Sequence, residues 1–185
     1  MPGRRDFILL GAALLGHAHA QPRADAMADR LRAGRCAVLW RHAQTTQGVG
    51  DPPGFKLEQC STQRNLSDAG RAQARAAGEW FRRHGLAPAA VRSSAWCRCK
   101  ETADLAFGAH VLWTPLNSTF GSAEIPPDNR QSMLDGLTRI PAGAFEVWVT
   151  HQVNITAFTG ESLGMGDAVV VDRAAKVVAR GNFGG

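Results

Sequence analysis

Residues 36–45 of the chain read CAVLWRHAQT, an uninterrupted apolar run followed at once by two basic side chains. A short apolar run without alternation is typical of a strand buried on both faces. We therefore predict a central strand at 36–40. Arg41 and His42 then lie beyond its carboxyl end, the edge of a parallel sheet at which ligands bind.

The chain on either side of this strand alternates strands with helices. A helix leads in at 21–34, and the best-marked helix runs from the N-cap Ser67 to a stop at Gly85. The other predicted elements are strands at 90–93, 110–113 and 145–150, helices at 97–107, 130–139 and 153–159, and a terminal hairpin of 168–172 with 176–180. This alternation predicts an α/β three-layer sandwich, a mostly parallel central sheet flanked by helices.

Basic side chains follow three of the predicted strands. Arg41 and His42 follow 36–40, Arg98 opens the helix after 90–93, and His151 follows 145–150. Such groups would repel one another in an empty site, so their convergence predicts a multiply charged anion as the ligand.

Four segments resemble motifs of the histidine phosphatase superfamily, in its phosphoglycerate mutase-like branch. Residues 41–45 (RHAQT) resemble R-H-G-[EQ]-T, and 65–74 (NLSDAGRAQA) resemble the helix start L-[ST]-x-x-G-x-x-Q-A. Residues 93–103 (SSAWCRCKETA) resemble S-S-x-x-x-R-x-x-[EQ]-T-A, and 149–151 (VTH) resemble a strand ending in [ST]-H. The four occur in family order and imply a phosphoglycerate mutase-like fold.

The resemblance also implies the roles of the site residues. His42 would attack phosphorus and carry the phosphoryl group as phosphohistidine. Arg41 and Arg98 would clamp the phosphoryl oxygens, since guanidinium forks match phosphate geometry. His151 would donate to another phosphoryl oxygen. Water would then release phosphate, so neither a metal nor another cofactor is expected.

The general acid is the part of the pattern that this sequence does not match. Where many members of the family have a glutamate, after Leu116 and Asn117, the chain has Ser118 and Thr119. Glu124 is our first candidate for the acid, and Asp128 and Asp167 are the alternatives. Ala43 replaces the family's glycine, a small change that should leave the turn intact.

The length of the chain limits the number of domains, and its charge limits the classes of partner. The 185 residues suffice for one domain, which we place at 21–185, without a large cap domain. The irregular segments 44–62 and 117–129 should then define a shallow pocket. The net charge of +5 is spread along the chain, so we expect a small phosphorylated substrate and no nucleic acid. The oligomeric state stays open.

Residues 1–20 have the pattern of a cleavable signal peptide. Two arginines precede a short apolar run that ends at Ala18-His19-Ala20, and the run is too short to span a bilayer. Arg4-Arg5 also resembles a twin-arginine signal, with a general secretory signal as the alternative. We expect a periplasmic or secreted protein without a stable membrane span.

The four cysteines follow 1–20 in the chain. In an oxidising compartment an even count favours disulfides, and we expect one between Cys60 and either Cys97 or Cys99. Buried free thiols are the alternative, and the C-x-C spacing does not support a zinc site.

Other segments of the chain resemble one subgroup of the superfamily, and this narrows the expected function. Segments 51–54, 60–66, 96–99 and 150–155 resemble an exported bacterial subgroup that includes lipopolysaccharide core heptose phosphatases. The sequence therefore predicts a metal-independent phosphatase acting on phosphomonoesters. A phosphohistidine protein phosphatase, a mutase or a non-catalytic phosphate-binding module of the same fold are the alternatives.

Overall fold

Eleven helices and strands follow one another in the described part of the chain, residues 21–120 and 124–183 of a computed structural model, with side-chain packing from residue 26 onward. The helices are α1 (Gln21–Ala33), α2 (Asp68–Arg83), α3 (Cys97–Phe107), α4 (Pro127–Arg139) and α5 (Gln152–Thr159). The strands are β1 (Cys36–Arg41), β2 (Ala90–Ser93), β3 (Val111–Leu112), β4 (Phe145–Thr150), β5 (Asp167–Asp172) and β6 (Val177–Asn182). Two short 3₁₀ turns lie at Cys60–Thr62 and Thr114–Leu116.

The signal peptide predicted at 1–20 lies outside the described residues. Within the residues that are described, no helix is long and apolar enough to cross a membrane.

The strands form one sheet in the order β3-β2-β4-β1-β5-β6. β1 pairs in parallel with β4, and β2 pairs in parallel with both β4 and β3. β5 runs antiparallel to β1 and to β6, which makes the terminal hairpin. The predicted α/β sandwich with a mostly parallel sheet is confirmed, and β1 lies near its centre.

Side chains of β1 alternate between two apolar layers, as a strand covered on both faces requires. Val38 and Trp40 pack with residues of α1, α2 and α3, whereas Ala37 and Leu39 pack with residues of α4 and α5. All four side chains are fully buried. Burial on both faces explains the unbroken apolar run that the sequence has there.

The start of α2 is fixed against the loop that follows His42. Ser67 caps the helix by accepting a hydrogen bond from the Gly70 amide, as predicted. A Cβ on Gly70 would lie 1.8 Å from the carbonyl oxygen of Gln44, so only glycine permits this close approach. The helix therefore supports the backbone just beyond the strand end.

Two predicted boundaries were wrong. α4 begins at Pro127 rather than at residue 130, because proline is well suited to the first helical turn, where its missing N–H has no partner to lose. The strand predicted at 110–113 is only the edge pair Val111–Leu112, because β2 is its sole partner in the described sheet.

Candidate active site

The ends of β1 and β4 place two histidines side by side. Arg41 is in register with Thr150, and the His42 amide donates to the Thr150 carbonyl at 3.0 Å. His151 follows directly, and the centroids of the two imidazole rings are 5.6 Å apart. Both histidines are 3% exposed. Adjacent parallel strands thus bring together residues that are 109 positions apart in the chain.

The His42 ring is held through one nitrogen. Nδ1 lies 2.9 Å from the carbonyl oxygen of Ala43, which can only accept, so Nδ1 carries the hydrogen and Nε2 keeps its lone pair. Burial lowers the pKa of His42 to about 3, with further lowering by Arg98 and Arg41 against the opposing effect of the Ala43 carbonyl. The imidazole is therefore neutral at pH 7 and available as a nucleophile.

His151 is neutral for related reasons. Burial lowers its pKa well below the usual value, and His42 and Arg98 lower it further. Nδ1 lies 3.5 Å from Nη2 of Arg98, a group that only donates. Nε2 lies 2.8 Å from Oγ of Ser94, which follows β2. Ser94 belongs to the motif at 93–103, but the sequence does not predict its contact with His151, which spans 57 positions.

Arg98 enters the site from the first turn of α3. Its side chain is 4% exposed, and Nη1 donates to Oδ1 of Asp51 at 2.8 Å. Its Nε has no hydrogen-bond partner among the described residues. A buried donor without a partner is costly and marks a place where a ligand oxygen can bind.

Arg41, the last residue of β1, is half-buried. Nη1 donates to the Leu163 carbonyl at 2.5 Å, and Nε is a second buried donor without a partner among the described residues. Burial lowers the pKa of Arg41, and Arg64 lowers it further, whereas Asp167 raises it. The guanidinium nevertheless stays charged at neutral pH.

Asp51 and Arg64 are two site residues that the sequence did not identify. Burial lowers the pKa of Arg64, and Arg98 lowers it further, while Asp51 raises it. Arg64 also lowers the pKa of both histidines, so its charge is felt throughout the site. The sequence signal for either residue is weak, because each lies in irregular chain whose path no periodicity predicts.

The segment that contains Asp51 is fastened to the start of α3. A disulfide joins Cys60 to Cys97, and the Cys97 amide donates to Oε1 of Gln63 at 3.0 Å. Of the two pairings expected from the sequence, the structure has Cys60–Cys97. Cys99 is a buried free thiol 3.5 Å from Nε2 of His151, and burial raises its pKa to about 12.

A cavity of about 330 Å³ lies between residues 46–53 and Gln63–Arg64. The rings of Phe55 and Trp96 lie 6.1 Å apart, and the Trp96 ring is 5.3 Å from that of His151. The lining of the cavity therefore includes residues of the predicted segment 44–62, but neither histidine and none of the described residues of 117–129.

The three candidate acids lie in different places. Glu124 is exposed in the segment before α4, and Asp128 is exposed in the first turn of α4. Asp167 opens β5, accepts from the Gly164 amide at 3.0 Å and raises the pKa of Arg41. Of the three candidates, Asp167 is the one whose charge acts on a site residue.

Three arginines, two neutral histidines and buried donors that have no partner among the described residues make a site for a small oxyanion with several charges. The nucleophilic lone pair of His42 lies within it. Over the part of the chain that the structure describes, no group of three or more His, Cys, Asp or Glu side chains could hold a metal ion.

Residues 37–180 match the family model of the histidine phosphatase superfamily (branch 1). Among curated protein sequences, none matches the chain significantly.

Solved structures share the fold. A protein from Agrobacterium tumefaciens assigned as phosphohistidine phosphatase SixA matches with 17% identity and a TM-score of 0.53, over 79% of this chain and 97% of that one. The phosphoglycerate mutase of Thermus thermophilus matches with 22% identity and a TM-score of 0.54, over 78% and 97%. The protein histidine phosphatase SixA in complex with tungstate matches with 13% identity and a TM-score of 0.54, over 80% and 96%.

Proposed function

Since the chain belongs to the histidine phosphatase superfamily (branch 1), we propose that it hydrolyses phosphate monoesters through a phosphohistidine on His42. The observation that carries the proposal is the bond between His42 Nδ1 and the Ala43 carbonyl, which leaves Nε2 unprotonated beside the buried cations. SixA, which has the same fold, has a solved structure in complex with the oxyanion tungstate.

Binding of the phosphoryl group is the first step. Arg41 and Arg98 each have a buried Nε–H without a partner among the described residues, and these donors bind phosphoryl oxygens. Burial is the main cause of the lowered pKa of His151, and the charges of Arg98 and Arg41 add to it; a bound anion opposes only this second effect. With the anion in place, a protonated His151 would donate to a third phosphoryl oxygen and stabilise the charge of the transition state.

Transfer of the phosphoryl group follows. Nε2 of His42 forms a bond to phosphorus as the phosphorus–oxygen ester bond breaks, and the leaving oxygen takes a proton from a general acid. Water then attacks the same phosphorus, the nitrogen–phosphorus bond breaks, and phosphate leaves. Throughout, the Nδ1–H stays on the Ala43 carbonyl and keeps the ring oriented.

For the general acid we keep Glu124 as first choice, with Asp128 and Asp167 as alternatives. Glu124 lies between the second and third motifs, in the segment where relatives have their acid, and is exposed. The three variants Glu124→Gln, Asp128→Asn and Asp167→Asn separate the candidates. The variant that lacks the true acid loses more activity on phenyl phosphate than on p-nitrophenyl phosphate, because nitrophenolate leaves without a proton.

The activity is tested by turnover of p-nitrophenyl phosphate in the presence of a chelator. We expect turnover by the unchanged chain and its loss in His42→Ala. His110→Ala is the matched control, since His110 pairs with Asp104 on α3 and is not part of the site. No turnover, or equal turnover by His42→Ala, would contradict the proposal. Inhibition by the chelator would overturn only the expectation that no metal is needed.

The alternatives differ in what they leave on the protein. A non-catalytic module binds phosphate or vanadate but gives no ³²P-labelled histidine after rapid quenching, whereas the enzyme does. A phosphohistidine protein phosphatase is compatible with the described chain, in which the helices and strands leave no room for an inserted domain. Turnover of a phosphohistidine peptide well above that of sugar phosphates would identify the chain as a phosphohistidine protein phosphatase.

We further propose that the chain is exported, with 1–20 removed and 21–185 as the mature domain. The Cys60–Cys97 disulfide supports this, since stable disulfides belong to oxidising compartments. Fractionation and the amino-terminal sequence of the mature protein test it. A panel of heptose and other sugar phosphates, phospho-amino acids and nucleotides tests the likeness to the heptose phosphatase subgroup.

A further inference from the structure

Asp51 is a buried carboxylate that the mechanism above does not use. It lies in the irregular segment after β1, and its side chain is 7% exposed. Oδ1 accepts from Nη1 of Arg98 at 2.8 Å and from the Arg64 amide at 3.0 Å, and Oδ2 accepts from the Trp96 indole at 3.0 Å. Both oxygens are therefore used as acceptors, and the three donors come from two separate segments.

The guanidinium nitrogen of Arg98 that binds Asp51 determines which of its N–H groups remain free to bind a ligand. A guanidinium presents Nε–H and the nearer N–H of Nη2 along one edge, with Nη1 at the far end. Asp51 binds Nη1, whereas Nε has no partner among the described residues and Nη2 has only the 3.5 Å contact to His151. The Nε–Nη2 edge is the one suited to two parallel hydrogen bonds with an oxyanion.

We propose that Asp51 is a positioning residue: it holds Arg98 by Nη1 so that the Nε–Nη2 edge faces the phosphoryl group. The inference rests on the proposed function of the site and adds a residue to it. Asp51 does not touch the substrate; it acts through Arg98.

The surroundings of Asp51 exclude the other role that an aspartate has in such a site. Burial would raise its pKa, but the hydrogen bonds from Arg98 and Arg64 outweigh that effect, and the pKa is lowered. All three of its partners are donors, so a protonated carboxyl would lose one of these bonds. Asp51 is therefore ionised at neutral pH and does not supply the proton for the leaving oxygen.

The segment that contains Asp51 is held independently of Asp51. The disulfide Cys60–Cys97 and the bond from the Cys97 amide to Gln63 join it to the first turn of α3, next to Arg98. A substitution at Asp51 therefore leaves residues 60–63 attached to α3. It also removes the acceptor of the Arg64 amide and of the Trp96 indole, so the variants below must separate the effect on Arg98 from these losses.

Kinetics of Asp51→Ala and Asp51→Asn test the proposal. We expect Asp51→Ala to lower kcat by about 10- to 100-fold, the value of one hydrogen bond to a charged group, with KM changed by less than about threefold because lost orientation and lost repulsion of the anion oppose each other. Asp51→Asn keeps an acceptor for Arg98 and should recover part of the rate. Asp29→Ala, which removes an exposed aspartate paired with Arg32, is the matched control.

Two further measurements separate positioning from other roles. In an Arg98→Lys background, Asp51→Ala should lower kcat by less than about a further threefold, since the two residues act as one unit. Multiplying losses would show a merely structural effect and overturn the proposal. The loss should also be equal on p-nitrophenyl and phenyl phosphate; a greater loss on phenyl phosphate would make Asp51 the acid instead.

A crystal structure of the unchanged chain with tungstate tests the geometry without any turnover. We expect tungstate oxygens within hydrogen-bond distance of Nε and Nη2 of Arg98, with Nη1 still on Asp51. Tungstate bound at Nη1 with Asp51 displaced would overturn the proposal. If the chain proves inactive, the proposed function fails while this structure still decides the role of Asp51.

Discussion

The Thr102 hydroxyl accepts a hydrogen bond from the Ala43 amide at 3.0 Å and donates to the Arg98 carbonyl at 2.7 Å. One buried side chain of α3 thus joins the backbone beside His42 to the backbone of Arg98. Thr102 also belongs to the second motif, where its part in holding two site residues could not be seen from the sequence.

Thr102→Val should reduce both stability and activity. The valine has nearly the same shape but leaves the buried Ala43 amide without an acceptor, which costs about 1–3 kcal/mol. Urea unfolding and kcat on p-nitrophenyl phosphate measure the two effects. Thr102→Ser keeps the hydroxyl and is the control; if Thr102→Val loses no more stability and activity than Thr102→Ser, the hydroxyl does not have this role.

Acidification should begin to destabilise the protein at pH values well above those at which carboxylates take up protons. The folded-state pKa values of His42 and His151 lie below the unfolded value of about 6.5. Below pH 6.5 the unfolded chain therefore binds protons that the folded chain does not. The free energy of unfolding should fall by up to about 1.4 kcal/mol per pH unit for each histidine.

Urea unfolding at pH 7.5, 6 and 5 measures that slope, and His151→Asn should reduce it. Asp51 does not contribute in this window: its lowered pKa gives stability that is present above its unfolded pKa and lost only as the pH falls through the folded one. An equal slope in His151→Asn would contradict the assignment to the histidines.

Reduction of the Cys60–Cys97 disulfide should lower stability by about 3–4 kcal/mol, since it closes a chain segment of 37 residues. The segment contains α2 and β2, so without the disulfide a large part of the chain gains conformational freedom in the unfolded state. Thermal unfolding with and without reductant measures the effect. The double variant Cys60→Ser/Cys97→Ser should resemble the reduced protein and ignore reductant; a response of that variant would point to other thiols.

Gly78→Ala should destabilise the contact between α2 and α3, although alanine is the better helix former. A Cβ at this position would lie 2.2 Å from the Ala106 carbonyl oxygen, so the helices must separate. Propensity alone predicts a gain of about 0.5–1 kcal/mol, and the sign of the measured change therefore decides. Ala72→Gly, at an exposed position of the same helix, should show only the propensity cost.

Local signals accounted for most of the fold. The apolar run at 36–40 predicted a strand buried on both faces, and Ser67 and Gly85 marked the two ends of α2, because caps and turns depend on neighbouring residues. The start of α4 differs from the prediction because two adjacent prolines, Pro126 and Pro127, are typical of loops, although the second of them opens the helix.

The candidate site was predicted only where a residue lies beside a strand end or inside a motif. Arg41, His42, Arg98 and His151 met that condition. Asp51 and Arg64 did not, because their contacts depend on the path of a long irregular segment, and such a path is set by its partners on α3 rather than by its own sequence.

The sequence by itself determined the strand–helix order, the family and the set of basic residues, since these follow from local periodicity and from motifs. Only the tertiary structure decided which partners meet. Cys97 and Cys99 are equivalent on paper, but two positions on a helix point to different sides, so Cys97 meets Cys60 while Cys99 lies beside His151. In the same way the fold alone placed Asp51 on Nη1 of Arg98 and left Nε of that guanidinium without a partner among the described residues.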